Sequence, residues 1–317
     1  MTSELHVPNA YYGHASVLKR YAGLPQQRSL KVAVEHGIPI VRQVWTEDVQ
    51  AAMPVFLCAT EERARAYSAL VSNADAVAIG PMIHYAEPLA DPQPPTGRLL
   101  AFPAHSTHHI AASWDPRAFA DRLLRERGDW DEIVVCVYWR DVQAGLHRAF
   151  EDAGLRCVTA GHIYDQSFLA RLRTIIESAE AVITNEVGSH LLYAVCLERP
   201  VRFIPQEIEY LASADVLERD AAAPRHWQEE PIRRMRELFT PESRALTDEQ
   251  RRFVATISGR ASCRTRDELK DVLRLAEERY RQQHPLGRRT YRSLRSQLRL
   301  ARDRLVEQTS GRRRPPT

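Results

Sequence analysis

The chain has 317 residues, 44% hydrophobic and 27% charged, with 13 Gly, 19 Pro and 5 Cys. That is long enough for two domains of ordinary size, and it excludes a collagen-like chain, a disulfide-rich scaffold and a wholly disordered chain. The net charge of +3 hides a division: residues 259–317 hold 17 Lys and Arg against 7 Asp and Glu, and the remainder 27 against 34, so an acidic body carries a basic tail.

The opening Met1–Pro8 has neither a basic start nor an apolar run, so no secretory signal is expected. No apolar run approaches the roughly 20 residues of a membrane span, and the expected location is cytoplasmic. Residues 10–86 read as a first α/β region. Leu30–Val34, Val55–Cys58 and Ala76–Ile79 are strand candidates, and Glu61–Val71 a helix. About 85 residues make a small core, so this region is expected to borrow a later helix. Pro88–Gly97 carries four prolines in ten residues and reads as a linker, which puts the first domain at 1–97.

A second domain is drawn at 98–225. Arg98–Phe102, Glu132–Tyr138, Leu155–Thr159, Ala181–Thr184 and Val201–Ile204 are strands. Pro116–Arg127, Val142–Ala153, Ser167–Ser178 and Ser189–Leu197 are the helices between them. Runs such as Glu-Ile-Val-Val-Cys-Val-Tyr at 132–138 are those of strands covered on both faces. Strand–helix repeats with short connections predict a doubly wound parallel sheet. Further on, only helices are expected: Gln206–Leu217, Pro231–Leu238, Thr247–Ser258, Arg266–Gln283 and Arg288–Gln308. Thr247 with Gln250, and Thr265 with Glu268, have the spacing of capping boxes. The fold class expected is α/β, with two Rossmann-like domains followed by a helical, basic extension at 226–317. Cys58, Cys136, Cys157, Cys196 and Cys263 are widely spaced and read as buried thiols in a reducing compartment.

In an open parallel sheet, ligands sit beyond the carboxyl ends of the strands. The segments there are rich in His, Ser, Asn and Gly. Pro103–His109 supplies His105, Ser106 and Thr107, a polar loop suited to substrate or phosphate. A metal is disfavoured because adjacent histidines do not converge on one ion in an extended segment. Arg140 follows the next strand and pairs either with an anion or with Asp141. His162 follows Ala160 and Gly161, which permit close backbone approach. Thr184–His190 runs straight into a helix, and Asn185, Gly188, Ser189 and His190 gather at its start. There the free N–H groups and the helix dipole favour an anion, although Ser189 as a plain N-cap explains the same residues. In the first domain His36 and Gly37 follow a strand. An imidazole with an ordinary pKa near 6.5 suits general-base work, and a packed or capping histidine is the alternative.

Taken together, these residues resemble the GT-B class of glycosyltransferases, in particular those of capsule, teichoic acid and O-antigen synthesis. The resemblance rests on Glu35-His36-Gly37 at a strand end, on Val182–Tyr193 with its small polar turn, on Glu198-Arg-Pro-Val201, and on the Thr159-Ala-Gly-His162 turn. It covers roughly residues 10–205. It implies a nucleotide-activated sugar as substrate, no separate cofactor, and a glycan or lipid-linked acceptor. It further implies phosphates held by residues of the second domain without an obligatory metal, and His36 as the base. A nucleotide-sugar epimerase of the same architecture and a non-catalytic assembly protein are the alternatives. For the basic tail at 284–317, an anionic membrane surface and a helix packed on the body or in a homodimer are weighed, with nucleic acid disfavoured for lack of a recognisable module.

Overall fold

The computed structural model describes residues 4–40, 44–90, 97–107, 110–212 and 230–284. The expected helix at Arg288–Gln308, most of the basic tail, His108 and His109 lie outside them.

The second domain is built on five parallel strands: β4 (Arg98–Phe102), β6 (Glu132–Cys136), β7 (Arg156–Val158), β8 (Ala181–Thr184) and β9 (Val201–Phe203). Their order across the sheet is β7-β6-β4-β8-β9. The direction of winding reverses between β4 and β8, which is the topological switch point of a Rossmann sheet. Leu100 stands opposite Val134 on one side and Val182 on the other. Alternate residues feed different cores. Leu99, Ala101, Ile133 and Val135 pack with Phe119, Leu123 and Phe150, while Leu100, Phe102, Val134 and Val182 pack with Leu172, Ile176 and Leu191. Two covered faces explain the unbroken apolar runs of the strands. The helices that cover them are α4 (Pro116–Arg125), α5 (Trp139–Gln143), α6 (His147–Glu151), α7 (Phe168–Glu177) and α8 (Ser189–Cys196). The single helix expected over Val142–Ala153 is two short ones, broken at Gly145, which adopts φ +85°.

The first domain is smaller. β1 (Ala33–Val34), β2 (Val55–Cys58) and β3 (Asp75–Ala78) form a parallel sheet in that order, and α3 (Glu61–Leu70) packs on it with Thr60 as its N-cap. β1 is shorter than the apolar run Leu30–Val34, because side chains take its backbone groups. The Asn9 amide donates to the Val32 carbonyl at 2.7 Å and accepts from Val34 N–H at 2.8 Å, and Glu4 accepts from Leu30 N–H. Asn9 belongs to a 3-10 segment, Val7–Gly13, that leads into α1 (His14–Tyr21); the sequence pattern had announced neither.

Beyond β9 the expected helix over Gln206–Leu217 is instead a strand, β10 (Glu209–Ala212). It pairs antiparallel with β5 (Ile110–Ser113), Tyr210 opposite Ala112. The described part, residues 206–212, mixes apolar and acidic side chains that fit either period, and the neighbouring edge of β5 decided it; residues 213–217 lie outside the described residues. The helices α9 (Glu230–Phe239), α10 (Asp248–Ser258) and α11 (Arg266–Gln283) then follow, and both capping boxes are formed, Thr247 with Gln250 and Thr265 with Glu268. α10 packs beside α8. α11 returns to the first domain: Leu269, Leu273, Ala276 and Tyr280 recur on one face and are buried, and Tyr280 joins Phe56, Cys58 and Tyr67 in the core behind β1–β3. This is the later helix that the small first domain was expected to borrow. Among the described residues no helix is long and apolar enough to cross a membrane.

Candidate functional site

The switch point brings the loops after β4 and β8 side by side. Asn185 locks them together, accepting from Ala104 N–H at 2.7 Å and donating to Gln206 Oε1 at 2.7 Å. Beside it Glu186 accepts from His105: Nδ1 lies 2.7 Å from Oε2, and the backbone N–H of His105 meets the same oxygen at 3.2 Å. Tyr210 donates its hydroxyl to the other Glu186 oxygen at 2.9 Å. From α5, which follows β6, the buried carboxylate of Asp141 accepts from Ser106 N–H at 3.2 Å. Three elements thus converge two carboxylates on one imidazole.

The electrostatics follow from this packing. Burial alone would push His105 toward the neutral form, but Glu186, through charge and hydrogen bond, and then Asp141 outweigh it and hold its pKa above the ordinary value. Glu186 is the mirror case: burial favours its neutral form, and His105 pulls its pKa below the usual carboxylate range. Asp141 is pushed up to about 6, burial being the main cause, with His105 and the Ser106 N–H opposing it. His190 is a different kind of histidine. Burial lowers it to about 4, and its Nε2 lies 2.9 Å from the Thr184 hydroxyl. The site therefore sets His105, whose charged form the Glu186 carboxylate favours, next to His190, which burial keeps neutral at neutral pH.

α8 begins here. Its N-cap is Gly188, and Ser189 makes no capping bond to its own helix. The Ser189 hydroxyl instead accepts from Ile38 N–H of the first domain at 2.9 Å. Gly37 makes the approach possible: it adopts φ +74°, and a Cβ there would lie 3.0 Å from Ser189 Oγ. The dipole end of α8, half-buried at Gly188 to His190, is thus where the two domains meet.

His36 stands one residue before that contact. From it a chain of rings runs along the domain boundary. Tyr11 lies 6.0 Å from His36 and 5.5 Å from Tyr164, centroid to centroid. Tyr164 lies 5.6 Å from His162, and His162 4.0 Å from Trp139. Trp139 lies 5.8 Å from Tyr138, and Tyr138 4.9 Å from His105. His105 in turn lies 6.5 Å from His190. Tyr12 ties the domains once more, its hydroxyl 3.3 Å from that of Tyr138. So His36, His105, His162, Ser189 and His190, far apart in sequence, border one boundary. Arg140 lies over the Trp139 ring, 5.8 Å from its centroid. Ser106 Oγ accepts from Ala112 N–H, and Thr107 Oγ1 from Ile110 N–H, so both shape the turn into β5.

Asp141, Glu186 and Tyr210 were not singled out from the sequence, nor were the tyrosines and the tryptophan. Asp141 and Glu186 carried a readable signal, since each follows a strand of the parallel sheet closely. Tyr210 carried none, because its segment read as helix. Among the described residues no group of three or more His, Cys, Asp or Glu is arranged to hold a metal ion.

No protein-family model and no curated protein matches the chain. In fold it is similar to solved structures of GT-B glycosyltransferase-like proteins, each sharing 13% identity or less with it. The wall teichoic acid polymerase TagF is 13% identical over 80% of this chain and 68% of its own, with a TM-score of 0.41. MnaA of S. aureus, solved with UDP, is 13% identical over 77% of this chain and 68% of its own, with a TM-score of 0.40. The UDP-GlcNAc 2-epimerase of Neisseria meningitidis, bound to UDP-GlcNAc, is 9% identical over 73% of this chain and 62% of its own, with a TM-score of 0.36.

Proposed function

We propose that this chain transfers a sugar from a nucleotide-activated donor to a glycan or glycolipid acceptor of surface-polysaccharide synthesis, with no obligatory metal. The observation that carries the reading is the His105–Glu186 pair at the switch point, on the same domain boundary as His36. Donor phosphates would lie at the start of α8, against Gly188, Ser189 and His190, with His105, Ser106, Thr107, Arg140, His162 and Asn185 shaping the surroundings. The acceptor hydroxyl would attack the anomeric carbon and pass its proton to His36. The bond from that carbon to the phosphate oxygen breaks, and the charge left on the phosphate is met by the His105 imidazolium and the helix dipole. The basic residues of 284–317 would hold the enzyme peripherally on an anionic inner leaflet, near a lipid-linked acceptor.

The two carboxylates at the switch point favour a second reading. Glu186 and Asp141 beside His105 could move protons on the sugar itself, as an epimerase must.

Thermal shift with UDP, CDP, CMP and GDP is the first test. A nucleotide at about 100 times its Kd should add about 2.7 kcal/mol of stability. The His36→Ala variant should keep that shift while transfer falls about 10²–10⁴-fold. No shift with any nucleotide removes the donor site and leaves a non-catalytic protein. A nucleotide sugar that changes configuration without acceptor, followed by proton NMR, favours the epimerase.

A further inference from the structure

A concavity lies between the N-terminal segment and the 162–166 turn of the second domain, sharing His162 with the surroundings proposed for the donor. It encloses about 330 Å³, at the lower end of the roughly 300–1,000 Å³ of small-molecule sites. That is room for a mono- or disaccharide and too little for a whole nucleotide sugar. Its wall includes Asn9, Ser16, His162, Tyr164, Asp165 and Gln166. The Asn9 amide and Ser16 hydroxyl are engaged with Val32, Val34 and Gln26, so the phenol of Tyr164, the imidazole of His162 and the amide of Gln166 are the groups matched to sugar hydroxyls, which both donate and accept. The His162 and Tyr164 rings lie 27° from parallel with centroids 5.6 Å apart, which offers a flat apolar face to the C–H side of a pyranose.

The charges narrow the ligand. Two carboxylates reach the cavity, Glu4 and Asp165, and each is neutralised by a neighbour. Lys19 gives its ammonium to Glu4 at 2.7 Å and to the carbonyls of Gln26 and Arg28 at 2.9 and 3.2 Å. Arg171 gives one nitrogen to Asp165 at 2.7 Å and to the Ala160 carbonyl at 2.6 Å. None of the described lining residues is Lys or Arg. A phosphate or carboxylate finds no cation here, and a cationic ligand finds no spare anion.

We propose that this cavity binds a neutral mono- or disaccharide. Tyr164, which forms part of its wall, also contacts Tyr11, which contacts His36, so the bound sugar would lie two ring contacts from that histidine. Its role as the acceptor end rests on the transferase reading; the binding itself does not.

The test is saturation-transfer NMR on the full chain with glucose, galactose, N-acetylglucosamine and N-acetylmannosamine, and with glucose 6-phosphate and N-acetylneuraminic acid as charged counterparts. At least one neutral sugar should take up saturation, and the charged ones should not. Ala10→Leu places a larger side chain into the cavity wall and should weaken that binding at least about tenfold, while the thermal shift by nucleotide stays as in the parent. Gln166→Ala, at an exposed position, should weaken it several-fold and serves if Ala10→Leu does not fold. Saturation of no neutral sugar, preference for the charged ones, or undiminished binding in the folded variants overturns the proposal. Sugar binding without any nucleotide shift would leave the cavity site standing and remove the transferase reading; the reverse pattern would do the opposite.

Discussion

Asp141 is 6% exposed and faces His105 and the Ser106 N–H. Its pKa near 6 lies well above the ordinary 3.8, so the folded state holds a proton there more tightly than the unfolded chain. The sign follows: the burden on the fold is absent below about pH 4, grows from there, and is complete above about pH 6. Two pKa units correspond to about 3 kcal/mol. Asp141→Asn keeps an acceptor for Ser106 N–H and removes the charge. Its melting temperature should exceed that of the parent by a few degrees at pH 8 and match it at pH 4. A lower melting temperature at pH 8 would mean that the ionised carboxylate is needed to hold His105 in place. A residue that burdens the fold at working pH is the mark of a functional group. The histidines were legible as candidates because each follows a strand. Their differing ionisation was not, since it depends on burial and on which carboxylate lies within reach, and Glu186 comes from the loop after β8 while Asp141 comes from α5.

At the level of elements, the continuous apolar strands and the two capping boxes could be read directly, because strand runs and cap chemistry are local. β10 could not, because its partner β5 lies about a hundred residues earlier. The same non-local logic governs Gly259, which ends α10. It adopts φ +68°, and a Cβ on it would lie 2.0 Å from the Ala59 carbonyl oxygen of the first domain. Gly23 has φ +66° with nothing within 4 Å of such a Cβ. Gly23→Ala should therefore lose only about 1 kcal/mol, the strain of a left-handed residue. Gly259→Ala must also push two backbones apart and should lose about 3 kcal/mol or more. Chemical denaturation of both variants checks the difference. Equal losses would show that the α10 end and the Ala59 backbone do not meet.

For the whole molecule, the charge division seen at the outset would, on the proposed function, separate two tasks. The site lies within the acidic body, and the excess of arginine lies largely at and beyond the end of α11. Full-length protein should sediment with phosphatidylserine-containing vesicles at low salt and detach as salt is raised, since each basic residue near the surface contributes about 1 kcal/mol under the Debye screen. A chain ended at residue 284 should stay in solution. Equal sedimentation of both would assign the tail to packing.

The return of α11 to the first sheet also sets a calendar for the growing chain. Phe56 and Tyr67 emerge from the ribosome more than two hundred residues before Tyr280, the ring that helps close their core. At about 5–20 residues per second, that is a wait of roughly ten seconds or more. The five-stranded sheet is assembled from residues 98–203 and has its strands in hand much sooner. One face of that sheet waits for the same helix, since Leu269, Leu273 and Ala276 share a core with Leu100 and Val182, so a single late element closes cores on both sheets.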